Sequence, residues 1–292
     1  MATAPVMDTA RPAMHPDEEA ALLDAIQKWV DKEVRPVVLH HDHNDIWPAE
    51  LVDQMVEMGL FGATIGQEYG GLGLPATTYA KIVALISSYW MAITGIFNSH
   101  LIMACAVERF GTPAQKMKWL PKFASGEIRG GLALTEPDCG TDLQAIRTTA
   151  VRDGDDYVIN GTKTWISNGV NGSCFALLVK TDPKAQPRYK GMSLFIAPKQ
   201  EGFTTGKKFE KLGYKCIDSA ELIFDNYRIP ADNLIGGVEG HGFRPPAGWS
   251  WAASTSPRAG WALPKARCAS PPNMRNCAKR WASRLPSIRR SS

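Results

Sequence analysis

Six cysteines stand in a chain of 292 residues, and no two of them form a C-x-x-C pair. With no histidine partners at ligand spacing beside them, this argues against a zinc site and against a disulfide framework. No run of 18 apolar residues occurs, and the first 15 residues lack the apolar stretch of a secretory signal. Neither a membrane span nor export is therefore expected, and the chain reads as cytoplasmic. Acidic residues are missing altogether from 245–292, which carries nine Lys or Arg. Subtracting that +9 from the chain's +4 leaves −5 on residues 1–244, so the pI of about 8.7 belongs to the tail. A basic tail with Trp would suit nucleic acid or anionic lipid, but its composition suggests another origin, and neither partner is expected.

What is present divides the chain in two. Residues 16–125 read as helical. Pro16 followed by Asp17, Glu18 and Glu19 suits a helix start, Leu22, Leu23, Ile26, Trp29 and Val30 repeat at helical spacing, and Pro36 is expected to close that helix. Further helices are expected at 49–58, as one or two across 77–109, and from the cap Thr112-Pro113. From about 128 the period becomes that of strands, at 157–160, 175–180, 193–197 and 220–224. With no helices between them, these predict an antiparallel barrel or sandwich. The fold class is thus α+β, with a helical domain over 1–127 and a β-barrel domain over 128–243.

Two short stretches carry the chemistry. Leu134-Thr135-Glu136-Pro137-Asp138-Cys139-Gly140-Thr141-Asp142 follows an apolar run with a turn of small and polar residues, where backbone N–H groups can reach a ring's polar edge. Thr164-Trp165-Ile166-Ser167-Asn168-Gly169 sets an indole and a hydroxyl two apart, on one face of a strand. Together they resemble the T-E-P-x-x-G-[ST]-D and W-I-[ST]-N-G motifs of the acyl-CoA dehydrogenases. Glu68-Tyr69-Gly70-Gly71-Leu72-Gly73, the G-T-P-A-Q-K of 111–116 and the stretch 224–236 extend the resemblance over about 25–243. Cys139 departs from the small residues usual at its place.

The resemblance implies a helical domain, a β-barrel domain and a C-terminal four-helix domain, the last expected to be absent here. It implies FAD as cofactor, held by Leu132, Leu134, Thr135, Gly140, Thr141, Trp165, Ile166 and Ser167. Leu134 and Thr135 would meet the N1/O2 edge of the flavin, Trp165 one ring face, and Ser167 the region of N5. Thr141 would also touch the pantetheine arm of an acyl-CoA substrate, while Glu136 and Asp142 fix the turn. The implied reaction is α,β-dehydrogenation of a saturated acyl-CoA, with an electron-transfer flavoprotein as acceptor and a homotetramer or homodimer for an intact member. No catalytic base is assigned, because the family's carboxylate lies in the C-terminal domain.

Beyond Phe243 the text turns to Pro, Trp, Ser and Arg, with seven of the 20 Pro and four of the nine Trp after position 244. Such a stretch cannot build a core and is expected to be disordered. A one-base slip near 244–248 accounts for it: shifted back one base, Trp249 onward reads as family-like helix, as does Asn273 onward with an R-x-x-x-G-x-P-I pattern. A catalytically dead remnant and an acyl-CoA oxidase-like relative are the competing readings. Other motifs are discounted. His40, His41 and His43, with Asp42 and Asp45, read as a solvated cluster where a helix gives way to a loop, and no metal is expected. The Gly-Gly-Leu-Gly loop, without a strand before it or a helix after it, is no dinucleotide fingerprint. Asn98-Ser99-His100 falls where the family's acyl pocket begins, and core packing explains its neighbours equally well.

Overall fold

The computed structural model describes residues 11–242, so the expectations for the tail lie outside the described residues. Helix α1 (Pro16–Trp29) starts with Pro in its first turn, where the missing N–H costs no bond. It does not stop at Pro36. A π turn at Val30–Val34 carries it into α2 (Arg35–Asn44), whose first turn holds Pro36 without a clash. The His cluster consequently lies on the last turns of α2, which ends at Asp45 with a left-handed φ of 53°. Among the described residues no group of three or more His, Cys, Asp or Glu is placed to hold a metal ion.

Helix α3 (Ala49–Glu57) buries Leu51, Val52 and Met55. Helix α4 (Ala76–Phe110) follows the glycine loop, correcting the expectation that no helix does; a 3₁₀ turn at Gln67–Tyr69, and not a strand, precedes that loop. The helix breaks at Trp90 (φ −151°, ψ 100°), whose indole N–H donates to Asp42 of α2 at 3.2 Å. By length and composition α4 could cross a membrane, yet 67% of its most apolar window is buried in the fold, as in the central helix of a packed bundle. Helix α5 (Pro113–Ala124) opens with a capping box: Thr112 Oγ1 accepts from Gln115 N–H, and Gln115 Oε1 accepts from Thr112 N–H.

The β region comprises β1 (Gly130–Ala133), β2 (Thr149–Asp153), β3 (Asp156–Ser167), β4 (Cys174–Lys180), β5 (Met192–Pro198), β6 (Phe203–Lys208) and β7 (Ser219–Pro230). They form one curled sheet in the order β1-β4-β2-β3-β7-β6, with β5 also paired to β4. The antiparallel expectation needs correcting, because the sheet is mixed: β1 runs parallel to β4, and β2 meets β4 in parallel at Thr149 and Lys180. The β2–β3 hairpin lies between β1 and β4 in sequence, and that intervening length lets β4 return alongside β1 in the same direction. A Cβ at Gly130 would fall 1.5 Å from the Cys174 carbonyl oxygen, so glycine permits this pairing.

Strand β4 is buried on both faces. Cys174 and Ala176 join the helical core, while Phe175, Leu177 and Val179 join the sheet's own core with Tyr157, Phe195, Phe203 and Tyr227. The alternation along one strand thereby packs the sheet onto α4. The inner end of β3 and the loop after β1 come to lie beside the middle of that helix.

Candidate functional site

Strand β3 carries the site because its pairing with β7 slips between Lys163 and Ile166. Such a bulge re-aims a side chain. Trp165 takes it up with φ 58°, a left-handed conformation unusual for so large a residue. Its indole is 54% exposed, whereas Thr164 and Ile166 on either side are buried. One face of the indole stacks on Phe209, with centroids 4.2 Å apart and planes at 20°.

The loop after β1 is drawn onto β3 by a charge inside the protein. Lys163, fully buried, donates to the Leu134 carbonyl at 3.0 Å and to Glu136 Oε1 at 2.7 Å. Glu136 also accepts from the N–H groups of Arg147 at 2.6 Å and Thr148 at 3.0 Å. Burial alone would raise the Glu136 carboxyl, but Lys163 and these donors outweigh it and hold it below the usual carboxylate range. Burial pulls the Lys163 ammonium down, against the opposing pull of Glu136. Glu136 thus fixes the turn, and reciprocal backbone bonds between Glu136 and Cys139 close it. Thr164 N–H donates to the Thr135 carbonyl, so the acceptors of Leu134 and Thr135 are both engaged by β3.

These elements line a half-open cavity of about 140 Å³, formed by Ser99, Ile102, Leu132, Leu134, Thr135, Trp165, Ile166 and Ser167. Six of the eight expected flavin-contacting residues therefore meet around one space. Gly140 and Thr141 are not among its lining residues and sit exposed on the outer loop. A larger apolar cavity of about 310 Å³ adjoins it through the shared Ile102, Leu132 and Leu134, and runs past Cys105, Ala106 and Leu194 to Val238 and Gly242. Among the described residues no Asp or Glu lines either space. Successive residues of α4 point different ways, which separates the triplet 98–100. Asn98 accepts from the Tyr79 hydroxyl, Ser99 faces the cavity, and His100 is buried with Nε2 3.0 Å from the Phe123 carbonyl.

Three contributors escape a reading of the motifs. Lys163 gives no local sign of burial, since β3 mixes buried and exposed positions, Ile102 is one apolar residue of a helix apolar on most sides, and Phe209 lies in a different segment from the Trp it meets.

Residues 16–127 match the model of the acyl-CoA dehydrogenase N-terminal domain, and residues 131–227 that of the middle domain. The chain is 38% identical to (2S)-methylsuccinyl-CoA dehydrogenase of Cereibacter sphaeroides over 78% of its own length and 43% of that protein's. With an acyl-CoA dehydrogenase of Bacillus subtilis it shares 36% identity over 79% of this chain and 61% of the other. The chain thus spans about half the length of these relatives. Among solved structures, acyl-CoA dehydrogenase from Geobacillus kaustophilus matches with TM-score 0.79 and 30% identity, over 94% of this chain and 70% of that one. A glutaryl-CoA dehydrogenase from Mycobacterium smegmatis in complex with FADH2 matches at 0.71 and 27%, over 85% and 61%. A chain in a structure of the electron transferring flavoprotein of Acidaminococcus fermentans matches at 0.76 and 32%, over 88% and 66%.

Proposed function

We propose, from the premise that this chain belongs to the acyl-CoA dehydrogenase family, that its cavity is the flavin side of a site for α,β-dehydrogenation of an acyl-CoA thioester. One observation carries this reading: residues from two motifs about 30 apart converge with a strained, exposed Trp on a single space. The lining fits FAD chemically. It offers an aromatic wall, apolar sides from Ile102, Leu132 and Leu134, and hydroxyls from Ser99, Thr135 and Ser167 for a ring with one polar edge. FAD, when bound, supplies an acceptor for the hydride that leaves the substrate's β-carbon.

The chain's own residues bind, orient and exclude water. Trp165 covers a ring face, Ser167 and Thr135 fix its edge, and the adjoining apolar cavity takes the acyl chain. Proton removal from the α-carbon needs a carboxylate held close to it, and the described lining supplies none. We read 244–292 as out-of-frame text standing in place of the four-helix segment that carries the base. An electron-transfer flavoprotein as acceptor, a homotetramer or homodimer for the intact protein, and a cytoplasmic location complete the proposal.

Trp165→Ala tests the flavin wall. In a chain with its frame restored near 244–248, the substitution should loosen FAD and shift its visible band, read by equilibrium dialysis and absorption. Unchanged retention and spectrum would make Trp165 an ordinary surface-packed residue and overturn the reading.

A further inference from the structure

The wall is a pair of rings, and the second lies outside every motif that pointed to the first. Register explains how they meet. Lys208 at the end of β6 pairs with Ala220 of β7, and Ala220 pairs with Ile166 of β3. Phe209 therefore reaches the same level of the sheet as Trp165 from two strands away, and the bulge turns the indole to meet it. Phe209 does not line the cavity that Trp165 lines. What Trp165 presents to the cavity is thus a part of the residue that Phe209 does not cover.

The segment bearing Phe209 is anchored at several points. Phe209 N–H donates to the Ser219 carbonyl at 2.8 Å, and Lys208 pairs with Asp45 at 3.1 Å. Asp45 also accepts from Cys216 N–H at 2.8 Å. Tyr214 and Cys216 sit at φ 58° and 71°, left-handed for non-glycine residues, so this segment is held in a costly shape by its surroundings. The end of α2 thereby fixes the position of a ring at the far side of the site.

We propose that Phe209 is a positioning residue for the flavin: it backs the indole of Trp165 so that a single preset face is turned to the cavity. This rests on the flavin reading above. An indole exposed on both faces would rotate about χ1 and χ2 and lose that freedom on binding. An indole already stacked has surrendered most of it before the ligand arrives.

The test compares Phe209→Leu, which keeps bulk and loses the ring, with Phe209→Tyr, which keeps the ring, in the chain with its frame restored near 244–248. Two readouts are taken: FAD affinity by quenching of flavin fluorescence, and acrylamide quenching of Trp165 emission without FAD, isolated by difference against Trp165→Phe versions of each variant. F209L should weaken FAD binding by roughly three- to tenfold, the range expected of one aromatic stack, and should raise the quenching of Trp165. F209Y should stay within about twofold of the parent on both counts, since the stack is retained. A folded F209L with parental affinity and parental quenching overturns the proposal. Should F209L fail to fold by circular dichroism, Asp45→Asn, which keeps both rings in the chain but loosens the anchor that holds Phe209 against the indole, decides in its stead: weaker FAD binding and raised quenching support the proposal, and parental values of both overturn it. Failure of the unsubstituted, frame-restored chain to bind FAD overturns the flavin reading, and this proposal with it, whereas FAD binding indifferent to Phe209 overturns this proposal alone.

Discussion

Lys163 brings a full charge to a place without water, and its cost is offset by geometry. Its ammonium has a carboxylate at 2.7 Å and a carbonyl at 3.0 Å, and the same carboxylate takes two backbone N–H groups. Removing one partner strands the other, so Lys163→Met should cost about 3–5 kcal/mol in urea unfolding. The double variant Lys163→Met with Glu136→Gln should lose less than the sum of the two single changes, because no buried charge is left unpaired. Equal or additive losses would show that the pair is not coupled. His100 makes a second case. It is fully buried, and burial lowers its pKa from 6.5 to about 4. A base depressed in the folded state stabilises the fold above its unfolded pKa, and that stability is lost as pH falls from about 6.5 towards 4. The contribution is on the order of 3 kcal/mol. Urea midpoints should therefore fall over this window in the parent and fall less in His100→Leu; identical pH profiles would exclude the assignment. Glu136 acts lower on the scale. Its depressed carboxyl contributes stability above the unfolded carboxylate pKa of about 4.3, lost as pH falls further.

Among the elements, the turn directly after β3 ties the sheet to the helices. Asn168 is 2% exposed at φ 60°, and its amide donates to the carbonyls of Ile96 in α4 and Gly130 in β1 at 2.9 and 2.8 Å. Asn168→Ala loses both bonds and keeps the left-handed strain, for a predicted cost of about 2–4 kcal/mol. Asn168→Gly loses the same bonds and relieves the strain, so it should be milder by about 1 kcal/mol in the same unfolding experiment. An Ala variant as stable as the Gly variant would remove the strain argument. Local pattern made several of these elements legible: β3, β4, β5 and β7 contain the strands expected from alternation, and α3 and α5 the helices expected from spacing and caps. What local pattern does not carry is pairing. Nothing within Gly130–Ala133 states that it will lie parallel to a strand 44 residues on, and β6, with Thr204-Thr205-Gly206-Lys207-Lys208 largely on the surface, shows no apolar alternation. The π turn is equally silent, since Val30 to Val34 keep a composition any helix would accept.

At the scale of the molecule, the site is a joint between two layers, which is why it was half legible. The motif residues on β1, its following loop and β3 announce themselves by local sequence. The opposite wall comes from α4, where Ile102 differs in no visible way from its neighbours until the sheet is packed against it, and Ser99 is marked in the sequence only as part of the triplet 98–100. The same division governs function. Within residues 11–242 there is an aromatic wall, a polar edge and an apolar extension of about 310 Å³, but no carboxylate at either space. An α-proton next to a thioester is too weakly acidic to leave without a base, and the loss of such a group typically slows a reaction by about 10²–10⁴-fold. The chain as it stands should accordingly show no measurable dye-linked oxidation of butyryl-CoA, even with FAD in excess. A version in which the proposed slip near 244–248 is reversed should show both retained flavin and turnover, and substituting its restored carboxylates one at a time should abolish turnover while sparing flavin binding. Turnover by the unrestored chain would require another base, and a scan of His241, which lines the larger cavity, and of Glu136, Asp138 and Asp142 in the neighbouring loop would look for it.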